Sequence, residues 1–424
     1  MKRLLAALGV GLVVMALLAG GAGTALGRPV TVTFWSHTHP PMVDLNKKLV
    51  EEFNRQNPAL RVEYTAIPNT QFFTKMLTAM STGTGPDVLN MSSTQIARYI
   101  GSGMVAPIDS RAFGYQSQAE LEQAWIPGTL AAASDGGVVY GVPSEYNVSA
   151  MVINTAHFRQ AGRDPNAPPR TWDELVKVAE KLTVRQGAQI ARRGFDFFYV
   201  PNFYWLDLGI LLAQWGGDLL NAQGTESTIN SPQAVEALQF WYDLVYQRKI
   251  AGPQYSLRDS TNPMADYVNE MVSMHLVYPW GIGLLDGTPV WKDSRVVPLP
   301  QRDPRHPVTH AYAYYWMVNA QSPNKEAAWR FVNFLASHPQ RWLADVSFIQ
   351  PRKGWTDTPE ARAFPFIDVW LDQMQYSNFL TRSVYWSEIS AALQRAIERS
   401  IMNGVAPQAS LDQAKGEIDR ALTQ

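Results

Sequence analysis

The sequence predicts an α/β protein built around a parallel sheet. Strand-like and helix-like segments alternate over residues 30–91, and this order is typical of a parallel sheet with helices on both faces. At 424 residues the chain is too long for one ordinary hydrophobic core, so we expect two or three domains. The sequence has no long Gly/Ser-rich linker, and any two lobes should therefore be joined by extended strands.

The periodicity of this first segment predicts each of its elements. Residues 30–35 alternate β-branched and aromatic side chains as a strand does, and residues 43–54 place apolar side chains on one helical face. The further elements are a strand over 60–64, a helix over 71–81 and a strand over 87–91. Ligands of such sheets bind beyond the carboxyl ends of the strands. This rule nominates residues 35–39 and 91–94 as contact loops, and neither has the spacing of a phosphate cradle.

Residues 141–154 predict a strand with a polar interruption. Successive side chains of a strand face opposite ways, so Glu145 and Asn147 share one face, and Ser144 and Tyr146 share the other. Burying such groups costs free energy unless something hydrogen-bonds them. The stretch is therefore either an edge strand with one solvated face or part of a ligand site.

The pattern after residue 154 is mainly helical. The predicted helices are 172–182, which begins with a capping box, 232–246, 264–274, 325–337, 387–399 and 411–422. A strongly aromatic segment over 195–205 includes Tyr204, which either lines a ligand site or belongs to the core. A short strand over 275–280 ends in Trp280, an indole that either packs in the core or stacks on a ligand.

Residues 1–27 have the pattern of a secretory signal peptide. Two basic residues precede an apolar run at 4–18, and small residues follow it. This run is shorter than the roughly 20 residues that a membrane-spanning helix needs, so we expect cleavage after Ala25 or Gly27. The chain has no cysteine, which excludes disulfides, thiolate metal ligands and a lipid-anchored N-terminal cysteine. We predict a soluble protein of the periplasm.

Composition narrows the class of partner. The net charge is −1 and no basic patch is visible, which argues against nucleic acid. A hydrophobic fraction of 46% with 17% charged residues indicates a globular chain. The 14 Trp and 17 Tyr are suited to surfaces that bind sugars, bases or apolar ligands, and equally to well-packed cores.

Several short motifs, taken together, resemble one family. They are Phe34-Trp35, residues 52–58 (EFNRQNP), 83–88 (GTGPDV), 141–143 (GVP), 168–175 (PPRTWDEL), 216–218 (GGD), Pro279-Trp280 and 322–329 (SPNKEAAW). Each is weak alone, but their shared order from near residue 30 to the C-terminal region resembles the family 1 extracellular solute-binding proteins of ABC importers, the maltose-binding-protein-like group.

The resemblance implies a periplasmic-binding-protein-like α/β fold of type II, with two α/β lobes joined by crossing hinge strands. The N-terminal lobe would comprise residues 28–145 plus 315–362, and the C-terminal lobe residues 146–314 plus 363–424. The chain would cross between lobes at 144–149 and 311–316. A sugar would be held in the cleft by hinge closure and delivered to the permease subunits of an ABC importer, with the binding protein acting as a monomer.

Carried over by position, the resemblance also implies a set of ligand contacts. These contacts fall on the loops 35–39 and 91–94, on or beside Asn147, and on Trp280. Together with the polar and aromatic residues nominated by their own chemistry, the candidate residues are Trp35, His37, His39, Gln71, Ser92, Ser93, Glu145, Asn147, Tyr204, Trp280, Tyr315 and Arg352. Asn147 is favoured over Glu145 because the family's crossing-strand contact falls on or beside it. Tyr278 stands where many relatives have glycine, and His37 and His39 are not the carboxylate and lysine of maltodextrin binders. The two histidines argue against assuming maltose.

Other classes fit the sequence less well. A glycosidase needs two carboxylates flanking one bond, and only Glu145 is nominated. The Gly-x-Ser-x-Gly and His-Glu-x-x-His motifs are both missing from the sequence, so we predict no enzyme. His37 and His39 lack further ligands at metal spacing, and we predict neither metal nor cofactor. A binder of glycerol-3-phosphate or of a glycerophosphodiester stays open, because relatives with the same lobes bind such ligands. Arg352 could reach such a ligand or be solvated.

Overall fold

The computed structural model describes residues 29–259 and 262–423, and it has two helix-flanked sheets in two α/β lobes. This architecture confirms the predicted fold class. The predicted signal peptide lies outside the described residues. Within the described ranges, no helix combines the length and apolarity that a bilayer-spanning segment requires.

The strands are β1 (Val30–His37), β2 (Leu60–Ile67), β3 (Val88–Ser92), β4 (Ser134–Asp135), β5 (Val138–Val139), β6 (Gly141–Val148), β7 (Ala150–Asn154), β8 (Val184–Gln186), β9 (Gln189–Asp196), β10 (Val272–Val277), β11 (Ser294–Val297), β12 (Thr309–Val318) and β13 (Ser377–Asn378). The helices are α1 (Pro40–Gln56), α2 (Asn69–Ser81), α3 (Ile96–Gly101), α4 (Gln118–Gln123), α5 (Thr155–Gln160), α6 (Trp172–Leu182), α7 (Tyr204–Trp215), α8 (Pro232–Tyr246), α9 (Ala265–Val268), α10 (Pro279–Leu285), α11 (Lys325–Ala336), α12 (Pro339–Val346), α13 (Pro359–Ala363), α14 (Ile367–Met374), α15 (Trp386–Ile397) and α16 (Pro407–Leu422).

The first sheet has the order β13-β12-β3-β1-β2. Strand β6 belongs to the same sheet and pairs with β12 on the side opposite β3. Strand β1 runs parallel to both β2 and β3, as the alternation of strands and helices predicts. Helix α1 buries Leu45, Leu49 and Phe53 in the core of this lobe, so its apolar stripe faces the sheet. Strand β12 runs antiparallel between β3 and β6, although it lies more than 150 residues after β6 in the chain.

The second sheet has the order β11-β7-β10-β9-β8. The predicted cap of α6 is present, because Thr171 Oγ1 accepts a hydrogen bond from the backbone N–H of Glu174 at 3.1 Å. The predicted helix over 264–274 is wrong: α9 spans only Ala265–Val268, and Glu270 follows with a positive φ of 56°. Strand β10 then begins at Val272, because its backbone pairs with both β7 and β9.

The chain crosses between the sheets at two adjacent points. Strand β6 ends in the first sheet at Val148, and β7 begins in the second at Ala150. The chain crosses back between β11, in the second sheet, and β12, in the first. The hydroxyls of Ser149 and Thr309 lie 2.7 Å apart, so a hydrogen bond ties the two crossings together. The exact lobe boundaries stay a prediction.

Candidate functional site

The pairing of β6 with β12 places polar and aromatic side chains on one face of the sheet. Tyr312 lies opposite Asn147, and Tyr314 lies opposite Glu145. Residues directly opposite in an antiparallel pair share a face. Two more side chains join this face: Trp280 Nε1 donates to Tyr312 Oη at 2.5 Å, and the His37 ring centroid is 4.5 Å from that of Tyr314. We call these residues the cleft cluster: His37, Glu145, Asn147, Trp280, Tyr312 and Tyr314.

The cleft cluster lies where the two lobes meet. His37 ends β1 in the first sheet, and Trp280 is the second residue of α10, which follows β10 of the second sheet. Trp280 packs against the core of the first lobe and against Phe203 of the second. These positions are the carboxyl ends of strands, where α/β sheets place their ligands.

Aromatic rings surround the Trp280 indole. It stacks on Tyr278 with ring centroids 5.9 Å apart and an interplanar angle of 12°. Phe203 contacts it at 5.6 Å, and Trp205 contacts Tyr312 at 5.9 Å. Tyr278 is fully buried, whereas Trp280 and Tyr312 are only half-buried. The half-buried rings can therefore offer an apolar face to a ligand.

The polar members of the cleft cluster are buried with unused hydrogen-bonding atoms. Glu145 is 3% exposed and Asn147 is 1% exposed. Within the described ranges, Glu145 Oε2, Asn147 Oδ1 and His37 Nδ1 have no hydrogen-bond partner. Each such atom costs about 1–3 kcal/mol when it is left unsatisfied. Their convergence is the physical signature of a site that a polar ligand completes.

Burial shifts the titration of these groups toward their neutral forms. It raises the pKa of the Glu145 carboxyl to about 8, and the nearby Asn147 amide opposes this only in part. Burial, with a smaller contribution from His39, lowers the pKa of His37 to about 3. At pH 7 the unliganded cluster therefore holds a protonated carboxyl and a neutral imidazole.

Four other predicted contacts lie on β1 and β3 or directly after these strands. Ser92 of β3 lies opposite Tyr314 of β12, and Ser93 Oγ accepts a hydrogen bond from the backbone N–H of Ala313 at 3.2 Å. The ring of His39 stacks on Phe348 at 5.3 Å, and burial lowers its pKa to about 4. Trp35 is half-buried, with Lys75 Nζ 5.4 Å from its ring centroid.

The structure places Tyr314, rather than the predicted Tyr315, on the face of the cluster. Successive side chains of β12 face opposite ways, so Tyr314 shares the face of Tyr312 and Tyr315 lies on the other face. Tyr315 is fully buried, and its hydroxyl donates to the carbonyl of Thr129 at 2.5 Å. The alternation of tyrosine at 312 and 314 was the sequence signal that could have identified this face.

Three further predicted residues lie apart from the cleft cluster. Gln71 is exposed on α2. Tyr204 is buried at the start of α7 in the core of the second lobe, and its neighbour Trp205 contacts Tyr312 instead. Arg352 donates to the carbonyl of Ala336 at 2.9 Å, which ties two segments of the first lobe together. The side chains of Gln71, Tyr204 and Arg352 are therefore not part of the cleft cluster.

Neither a metal centre nor an accessible catalytic triad is assembled in the described part of the chain. No group of three or more His, Cys, Asp or Glu side chains there could hold a metal ion. Ser273, His157 and Glu270 resemble a nucleophile triad, with 3.1 Å between Ser273 Oγ and His157 Nδ1 and 3.5 Å between His157 Nε2 and Glu270 Oε2. Ser273 is fully buried within β10, so a substrate cannot reach it.

The two-lobed fold and its interlobe cluster define a solute-binding protein. The profile of the family "Bacterial extracellular solute-binding protein" matches residues 39–342, more than half of the chain, and the chain belongs to this family. This confirms the resemblance identified from the motifs.

Relatives of known name and structure are similar over most of the chain. The maltotriose-binding protein of Pyrococcus abyssi is 22% identical over 380 residues, which cover 87% of this chain and 76% of that protein. Maltose-bound MalE3 of T. maritima superposes with a TM-score of 0.79 at 23% identity, covering 92% and 99% of the two chains. The MalE domain of Bdellovibrio bacteriovorus bound to maltotriose gives 0.74 at 19% identity, covering 93% and 100%.

Proposed function

We propose that this protein captures a sugar between its two lobes in the periplasm and delivers it to the permease subunits of an ABC importer. The observation that carries the proposal is the placement of the Trp280 indole beside the buried polar atoms of Glu145 and Asn147. Sugars present apolar C–H faces that stack on indole and hydroxyls that pair with carboxyl and amide groups. Two relatives are named as binders of maltotriose and of arabinooligosaccharide.

Hinge closure is the proposed mechanism of capture. His37 belongs to the first lobe and Trp280 to the second, so one ligand can contact both. A ligand that makes additional contacts in the closed form stabilises that form by its differential affinity. The permease would then distinguish the closed, loaded monomer from the open one.

The charge of the site favours a sugar over the glycerol phosphates. Phosphate recognition relies on arginine, lysine or clustered backbone N–H groups. No lysine or arginine in the described residues forms an ion pair with Glu145, and no side chain of the cleft cluster is a cation that would hold a phosphate. Hydrolysis of a glycoside is disfavoured as well, because the cluster contains one carboxyl rather than two.

A thermal-shift screen tests this function directly. We expect at least one mono- or oligosaccharide to raise the melting temperature of the mature protein, whereas glycerol-3-phosphate and glycerophosphodiesters do not. A ligand at 100 times its dissociation constant stabilises the folded protein by about 2.7 kcal/mol, which is readily measured. Stabilisation by the glycerol phosphates alone would contradict the sugar proposal.

Replacing the stacking indole should weaken binding. For the sugar found in the screen, Trp280→Ala is expected to reduce affinity by about 1–3 kcal/mol, because both the stacking face and the hydrogen bond that orients Tyr312 are lost. Calorimetric titration measures this. Trp291→Ala is the matched control, since Trp291 is also half-buried in the second lobe but contacts Phe366. Equal affinities of the Trp280→Ala variant and the wild type would remove Trp280 from the site.

A further inference from the structure

The carboxyl of Glu145 is buried without a counter-ion. Its Oε2 has no hydrogen-bond partner in the part of the chain that the structure describes, and its side chain is 3% exposed. The titratable groups that face it are Tyr312 and Tyr314 of β12, and the His37 ring of β1 lies against Tyr314. The neighbour on its own strand face is the neutral amide of Asn147. None of these groups carries a positive charge at neutral pH.

The rings around this carboxyl are suited to a cation. Trp280, Tyr312 and Tyr314 border the same face of β6, and the negative face of an aromatic ring attracts ammonium groups. A neutral ligand would leave the carboxyl protonated and without a counter-ion, since burial disfavours its ionised form. An ammonium group would pair with the carboxylate and contact the ring faces at once.

We propose that the sugar bound at this site carries a protonated amine, which forms an ion pair with Glu145 within the aromatic cluster. The inference rests on the proposed function and narrows its ligand class to amino sugars. Glu145 is then the residue that distinguishes an amine-bearing sugar from its hydroxyl parent. Asn147 and the indole of Trp280 contact the parts that both ligands share.

The ion pair has a defined proton balance. In the unliganded protein at pH 7, burial keeps Glu145 protonated, since its pKa is raised to about 8. When the protonated amine binds, the carboxyl loses its proton to solvent and the amine retains its own. Binding of an amino sugar at pH 7 therefore releases about one proton, and binding of the hydroxyl parent releases none.

The experiment compares matched sugars on the mature protein. The probes are glucose with glucosamine, galactose with galactosamine, and mannose with mannosamine, titrated calorimetrically at pH 7 in two buffers that differ in ionisation enthalpy. We expect at least one amino sugar to bind about tenfold or more tightly than its parent, with release of about one proton. The preference should disappear in Glu145→Gln. It should persist in Glu63→Gln, a matched control at an exposed glutamate of β2.

The outcomes separate this inference from the proposed function. Tighter binding of the hydroxyl parents by the wild type, or an amine preference that Glu145→Gln leaves unchanged, would overturn the inference while the sugar proposal stands. Amine binding without proton release would also overturn it, and this measurement needs no variant. If no sugar of any kind shifts the melting temperature, the proposed function itself fails.

Discussion

Replacing Arg193 by methionine is expected to lower the free energy of unfolding by about 3–5 kcal/mol, because it removes the cation from a buried ionic triad. Arg193 is 1% exposed in β9, and its guanidinium lies 2.9 Å from the carboxylates of both Asp196 and Asp266. The variant would leave two buried acids without a counter-ion. Urea unfolding followed by circular dichroism measures the loss.

The pKa values of the two acids show how strongly this triad depends on Arg193. Burial raises the pKa of Asp196 to about 6, even though Arg193 opposes the shift. Burial would raise the pKa of Asp266 as well, but Arg193 beside it lowers that pKa below its usual value. Removing the arginine should therefore shift both pKa values upward and force the uptake of protons at neutral pH.

An exposed arginine provides the control for this variant. Arg185 is an exposed residue of β8 and donates to the carbonyl of Lys249 at 2.7 Å, so Arg185→Met should change stability by less than about 0.5 kcal/mol. The double variant Arg193→Met/Asp196→Asn should recover part of the loss, since one buried acid is then neutral. A loss below about 1 kcal/mol for Arg193→Met would contradict the importance of the triad.

The second large predicted effect is a gain in stability rather than a loss. Glu145→Gln is expected to stabilise the unliganded protein at pH 7 by about 3 kcal/mol, because glutamine has nearly the same shape and cannot ionise. The pKa of Glu145 rises from 4.5 to about 8 on folding. Between these values the folded state holds a proton that the unfolded state has released, so stability falls as pH rises. The folded protein loses about 1.4 kcal/mol of stability for each pH unit above the unfolded-state pKa of 4.5, and pH 7 lies 2.5 units above it.

The difference in unfolding free energy between the wild type and Glu145→Gln, measured against pH, isolates the contribution of the Glu145 carboxyl. Below pH 4.5 the carboxyl is protonated in both states, and the difference should reach its smallest value. It should grow up to pH 8 and then become constant. Glu63→Gln, at an exposed position, should show no such trend. A difference that does not change between pH 5 and pH 8 would show that Glu145 titrates normally.

This prediction also bears on why a carboxyl is kept at this position. A residue that destabilises the unliganded protein is expected where function requires it, because binding sites often sacrifice stability. The stabilising effect of Glu145→Gln should therefore accompany a loss of ligand discrimination. Measuring stability and binding on the same variant tests both.

Much of the fold could be predicted from local patterns. The alternating side chains of β1 and the apolar stripe of α1 depend only on which neighbours share a face, and that information is present within a dozen residues. The helix predicted over 264–274 failed for the opposite reason. The segment has helix-compatible residues, but the pairing of Val272–Val277 with two distant strands overrode that preference.

The candidate site could be predicted in part. The polar interruption at Glu145 and Asn147 and the Pro-Trp motif ending in Trp280 were visible in the sequence, and the structure brings all three residues together. Tyr314 was missed in favour of Tyr315, although the strand alternation from Tyr312 indicates Tyr314; what the sequence could not show is the break in register against β6, where Ser144 is the extra residue.

The sequence by itself determined the α/β class, the family and the polar and aromatic residue types at the core of the site. Periodicity and motif order are local properties, so they survive without coordinates. Only the tertiary structure decided that β12 inserts between β3 and β6, and that Glu145 is left without a counter-ion. The reason is physical: strand register and burial depend on contacts between segments that lie more than 150 residues apart in the chain.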